Sequence, residues 1–222
     1  MQLRKMIVIT VEIKTRWLRW IGAGLIHIFL GGIVSAVSAA AVGGAGTVEK
    51  PNVVFIFADD LGYGEIEVLD PEYAKIPTPQ VNRLAAEGQI FTDVHTSSSV
   101  CSPSRYSLLT GRYNWRTRLQ RSVLNDGADP LIAQERKTLG HLFREQGYHT
   151  AIFGKWHLGF NFKKPEGGNK QKRPKQPEDY LLAEVPVGSK IVEGPIPRGF
   201  DTFFGFQHAR SMSSVMRDDQ II

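Results

Sequence analysis

Cys101-Ser102-Pro103-Ser104-Arg105-Tyr106-Ser107-Leu108-Leu109-Thr110-Gly111-Arg112 is the stretch around which the chain is organised, and it holds the only cysteine of the 222 residues. Pro103 fixes its own φ and has no N–H, so it suits the first position of a helix. Ser102 is then the expected N-cap. Gly111 suits the position after the last turn, where φ is often positive. The run predicts a short helix with Cys101 at its N-terminal end. Unsatisfied N–H groups and the helix dipole make such an end attractive to anions. Arg105 lies one turn further on, and its rigid fork fits an oxyanion or a carboxylate. A thiol, a helix start and an arginine point to chemistry on an anionic group. The plainer alternative is a buried cysteine beside an ordinary helix.

Upstream, Asn52-Val53-Val54-Phe55-Ile56-Phe57 is a short, continuous apolar run. Its length and β-branched content predict a buried parallel strand. It leads into Ala58-Asp59-Asp60-Leu61-Gly62. Two adjacent carboxylates at the end of a buried strand are costly unless a positive charge sits there. Ligand sites of open α/β sheets lie at that edge, and hard divalent cations take carboxylate oxygens. Asp59 and Asp60 are therefore candidate metal ligands. A solvated turn is the alternative. Thr78-Pro79 is expected to open a helix that closes at Gly88, with Val81, Leu84 and Ala85 on one face. Ile90 to Val94 reads as a second strand.

Downstream, Thr138 to Gln146 reads as a third helix, with Leu139, Leu142 and Phe143 apolar and Gly147 beyond it. Tyr148 to Phe153 reads as a third strand. It ends in Gly154-Lys155-Trp156-His157-Leu158-Gly159. In extended chain, residues two apart share a side, which would group Lys155 with His157. A surface pair between turn glycines is the alternative. Residues 161–179 are rich in lysine and read as a solvated loop, or as a contact for a polyanion. Arg198 to Phe206 reads as a turn and an aromatic core strand. Alternating strands and helices imply α/β layering.

The net charge of +5 is largely a property of the first 40 residues, where five basic residues face one acidic residue. The remainder carries 22 basic and 21 acidic residues, which gives no reason to expect nucleic acid as a partner. Basic residues up to Arg19, an apolar run from Ile21 to Val34 and a small-residue tail to Ala41 form the three-part layout of an export signal. The expected organisation is a signal peptide over 1–41, a Gly-rich linker over 42–50 and a catalytic portion over 51–222. Export to the periplasm or the exterior follows, with membrane contact only during export. An uncleaved anchor is the alternative, because Ile21 to Val42 nearly suffices to span a bilayer. One cysteine in an exported chain forms no internal disulfide, so it is reactive, modified or intermolecular.

The pattern Cys-x-Pro-Ser-Arg-x-x-x-Leu-Thr-Gly-Arg resembles the signature of the type I sulfatases, in which the cysteine is oxidised to formylglycine. The Asp59-Asp60 pair, the run from Pro77 to Phe91, the Gly-Lys-Trp-His-Leu-Gly motif and the Gly-Phe-Asp-x-Phe-Phe-Gly segment are similar to stretches of the same family. The resemblance covers about residues 50–210. It implies a three-layer α/β/α fold with a mostly parallel central sheet, alkaline-phosphatase-like and here incomplete. It implies calcium on Asp59, Asp60 and the group derived from Cys101. It also implies that Cys101, Arg105, Lys155 and His157 act on a sulfate ester, which is a sulfated small molecule or a sulfated glycan, and that a formylglycine-generating enzyme matures the chain. The implied reaction uses the hydrated aldehyde: one hydroxyl attacks sulfur, the alcohol leaves, and the second hydroxyl expels sulfate. Family members run longer and supply an Asp-Asn metal pair, a second histidine and another lysine from their later half. The chain thus reads as an N-terminal portion, and Asp218-Asp219 lacks the context of the later pair. Two readings compete with a sulfatase. One is a phosphate-ester hydrolase of the same superfamily, which would usually carry Ser or Thr at position 101. The other is an inactive exported fragment that only binds.

Overall fold

A computed structural model describes residues 50–163, 185–208 and 214–222. The expected export signal, and all but the first residues of the lysine-rich loop, lie outside the described residues. The described chain forms two compact units, one of residues 59–63, 93–163, 185–208 and 214–222, the other of residues 50–58 and 64–92.

The larger unit has the α/β character expected. Helix α2 spans Cys101–Thr110, α3 spans Leu139–Glu145, and the strands are β1 (Ala151–Lys155), β2 (Asn161–Phe162), β3 (Ile191–Glu193), β4 (Thr202–Phe206), β5 (Met216–Arg217) and β6 (Gln220–Ile221). The main sheet has the order β1-β4-β5-β6, and β2 pairs with β3 separately. Strands β1 and β4 run parallel, while β4–β5 and β5–β6 are antiparallel, so the described sheet is mixed. A parallel pair needs a long crossover. Here about fifty residues separate the strands, and Thr150 and Asp201 fix their register. Thr150 donates its N–H to the Asp201 carboxylate at 2.8 Å and accepts the N–H groups of Asp201 and Thr202 on its carbonyl. At the other end Trp156 donates its N–H to Phe206 O at 2.8 Å, so the pairing runs on past Lys155.

Phe203 and Met216 are fully buried from the sheet, and they pack in one cluster with Tyr106 of α2, Trp156 and Leu158. Thr138 is the N-cap of α3, and its hydroxyl and the His141 ring form a reciprocal cap. Gly111 closes α2 with φ of 63°, as its position predicts. The start of α2 differs from expectation. The helix begins at Cys101, Val100 is its N-cap, and Ser102 lies inside the first turn. Ser104 does the anchoring: its hydroxyl donates to the Val100 and Ser98 carbonyls, both at 2.8 Å. That tie bends the preceding loop onto the helix and lets α2 start two residues earlier than a Pro103-led helix would.

In the smaller unit, α1 spans Pro79–Glu87, with proline in its first turn as expected. Thr78 makes no side-chain cap on it. Instead Glu67 joins Thr78 and Asn82, accepting from Asn82 Nδ2 at 2.7 Å and from Thr78 N at 3.3 Å. Two expected strands do not form. Asn52–Phe57 has no strand partner among the described residues, and Val54 and Ile56 are 66% and 72% exposed. Ile90–Val94 is likewise irregular. An apolar run identifies a candidate strand, but a strand exists only where a non-local ladder satisfies its backbone.

Gly205 faces Gly154 across β1 and β4. A Cβ on Gly205 would fall on the Gly154 carbonyl oxygen. Gly205→Ala is therefore expected to destabilise the larger unit by about 1–3 kcal/mol through overpacking. The expected readout is a lower urea midpoint with an unchanged m-value.

Candidate active site

Three separate segments meet at the N-terminus of α2. Asp59 and Asp60 come from the turn at residues 59–63, Cys101 and Arg105 from α2, and Lys155 from the end of β1. Consecutive side chains of an extended chain point to opposite sides. Asp60 breaks that alternation with φ of 58°, a left-handed value that Asp tolerates better than most residues. One ligand atom from each of Asp59, Asp60 and Cys101 then lies within 4.8 Å of the other two. Two carboxylates at that spacing suit a hard cation, and calcium takes six to eight oxygens, so they fit as part of its shell.

The charge balance at the cluster comes from two cations. Lys155 Nζ donates to Asp59 Oδ2 at 2.6 Å and to Cys101 Sγ at 3.1 Å. Arg105 Nη2 approaches Asp59 Oδ2 at 3.6 Å, and Arg105 Nη1 donates to the Lys155 carbonyl at 2.6 Å. The arginine thus fixes the backbone of the residue whose ammonium touches the thiol. Partial burial pushes the Asp59 carboxyl up, but Lys155 and Arg105 outweigh it and hold the group below its usual range. Burial pushes the Arg105 guanidinium down, with Asp59 acting against it.

His157 departs from the expected arrangement. Its φ of 53° turns the chain immediately after β1, so Lys155 and His157 do not continue as an extended pair. The imidazole is 1% exposed. Its Nε2 lies 2.9 Å from Leu124 O, and Nδ1 has no hydrogen-bond partner among the described residues. The His208 ring stands edge-on to it, with centroids 4.4 Å apart. Burial is the main reason that its pKa falls to about 4, and the Leu124 hydrogen bond only partly opposes this. The ring is neutral at pH 7. Sequence reasoning missed Leu124 and His208, since no spacing rule links residues 33 or 51 positions from a histidine. Asp218 and Asp219 serve the sheet: Asp218 Oδ1 accepts from Phe203 N at 2.9 Å, and Asp219 pairs with Lys190 at 3.0 Å.

The model of the Sulfatase family matches residues 51–221. The chain belongs to the sulfatase family. Relatives of this sulfatase chain include an N-acetylgalactosamine-6-O-sulfatase of Bacteroides thetaiotaomicron, 38% identical over 54% of the chain and 22% of the relative. Arylsulfatase A of Bos taurus is 41% identical over 58% of the chain and 24% of the relative. A solved structure from work on the metabolism of multiple glycosaminoglycans by Bacteroides thetaiotaomicron superposes with a TM-score of 0.59 at 28% identity, covering 75% of this chain and 30% of that one. The α/β fold is thus shared with solved relatives, and the sulfatase chain matches about a quarter of the length of these two curated relatives.

The buried histidine makes stability depend on pH with a definite sign. Its folded pKa of about 4 lies below the ordinary 6.5, so the unfolded chain binds the proton first. Stability is complete above pH 6.5 and falls as the pH drops from 6.5 to about 4. The loss is on the order of 3 kcal/mol at the lower end. Urea unfolding at a series of pH values is expected to show this slope, and His157→Gln is expected to flatten it.

Proposed function

We propose that this chain is the nucleophile-bearing portion of a sulfatase that hydrolyses sulfate esters, with Cys101 as the residue converted to formylglycine. The observation that carries this reading is the contact of Lys155 Nζ with both Asp59 and Cys101, beside Arg105. A cation beside both a candidate metal ligand and the candidate nucleophile is placed to stabilise charge on a transferring anionic group. The hydrated aldehyde would supply both the attacking oxygen and the hydroxyl that later expels sulfate, a release that an unmodified thiol does not offer.

The residues of the chain then divide the work. Lys155 neutralises charge on the transferring group, and its reach is set by the end of β1. Arg105, tied to Asp59 and to the Lys155 carbonyl, orients the nucleophile and offsets its charge. His157, neutral at pH 7, serves as a hydrogen-bond acceptor rather than as a cation. Asp59 and Asp60 would hold calcium together with the oxygen derived from Cys101, and the bound ion would lower the pKa of that oxygen and polarise the sulfate. Further ligands are expected from outside this stretch, because two carboxylates fill only part of such a shell. The glycan-sulfatase relative supports a sulfated sugar as substrate, and the leader supports export. A thiol-bearing position 101, where phosphate-ester relatives would carry a hydroxyl, favours sulfate over phosphate.

The test uses the full-length enzyme made together with a formylglycine-generating enzyme. Mass spectrometry is expected to find the Cys101 peptide as the aldehyde, lighter than the thiol form. Cys101→Ala is expected to reduce sulfate release to background with the fold intact, and retained turnover would overturn the nucleophile assignment. Lys155→Ala is expected to lower kcat by about 10²–10³-fold, in line with loss of a preorganised charge donor. Chelation of divalent cations is expected to suppress turnover, and added calcium to restore it.

A further inference from the structure

We propose that Ser102 and Leu124 form a positioning relay that fixes the proton of His157 on Nε2 and leaves Nδ1 as a standing acceptor. Ser102 is fully buried and directly follows Cys101. Its Oγ accepts the N–H of Leu124 at 3.1 Å. The carbonyl of the same Leu124 lies 2.9 Å from His157 Nε2. Leu124 sits in an irregular stretch with no ladder to hold its backbone, and its side chain is buried in the core. It is therefore pinned on one side by the helix that carries Cys101 and on the other by the imidazole.

A backbone carbonyl only accepts, so the nitrogen facing it must carry the proton. The opposite tautomer would set two lone pairs against each other at Leu124. It would also leave a buried N–H on Nδ1 with no partner among the described residues. Both penalties act in the same direction. The near-neutral range offers no escape through protonation, since burial already opposes the charged ring. The consequence is geometric: the helix that places the nucleophile also sets, through Leu124, where the acceptor lone pair of His157 stands. Ser102 is thus a positioning residue that acts through Leu124. The relay deepens the sulfatase reading and rests on it only for the identity of the proton that Nδ1 accepts.

The test is long-range proton–nitrogen NMR on the full-length matured enzyme with ¹⁵N-labelled histidine, the His157 signals being assigned by their loss in His157→Gln. Wild type is expected to show a single Nε2–H tautomer at neutral pH, and the Leu124 amide proton is expected to exchange slowly. Ser102→Ala is expected to add a population protonated on Nδ1 and to lower kcat roughly tenfold, the equivalent of one net hydrogen bond, with KM unchanged. Ser102→Thr, which keeps the hydroxyl, is expected to restore both. A wild-type ring protonated on Nδ1, or a Ser102→Ala spectrum identical to wild type, would overturn the relay. If the alanine variant does not fold, the wild-type tautomer and the Leu124 exchange rate decide without it. A fixed Nε2–H ring in an enzyme that releases no sulfate supports the relay and overturns the sulfatase reading. Turnover with a mixed tautomer does the reverse.

Discussion

Asp59 and Asp60 are adjacent, exposed carboxylates with ligand atoms within 4.8 Å of each other and of Cys101, and Asp59 there meets two cations. Lys155 and Arg105 provide the counter-charge, and they arrive from a strand and a helix distant in sequence. The rest of the larger unit can be read as the support for that meeting. The β1–β4 pairing fixes where Lys155 leaves the sheet. Helix α2 sets Arg105 one turn behind Cys101, and Arg105 then binds the backbone of Lys155 itself. Each cation is held by something other than the acid it neutralises, so the site keeps its shape without depending on a single ion pair.

The same geometry separates two residues that lie two apart in the chain. Lys155 reaches the acids with its ammonium, whereas His157 is folded into the interior by one left-handed residue conformation. Desolvation then decides the chemistry of the imidazole. The ammonium finds carboxylate and sulfur within reach and keeps its charge partners. The imidazole finds a carbonyl and another ring, so its neutral form is favoured. A strand-end motif that groups a lysine with a histidine is, in three dimensions, one ammonium at the acids and one buried, neutral imidazole.

Local signals worked where the determining forces are local. Proline at the start of α1 and glycine with positive φ after α2 were legible, because each depends on a few neighbouring residues. The start of α2 was displaced by two residues because Ser104 ties the preceding loop to the helix, a bond that a preference for proline at the first position does not reveal. The apolar run at 52–57 shows the limit in the other direction. Its composition suits a strand, but no partner ladder forms for it among the described residues.

The sequence by itself determined the chemistry-bearing residue types, the family resemblance of their motifs and the helix that carries Cys101, since these reside in short patterns of fixed spacing. Only the tertiary structure decided that Asp59, Asp60, Cys101 and Lys155 share one cluster, that His157 is buried against Leu124 and His208, and that Ser102 and Leu124 stand behind it. Those outcomes follow from hydrogen bonds and burial between segments tens of residues apart. Such contacts are set by packing of the whole unit, and no periodicity along the chain records them.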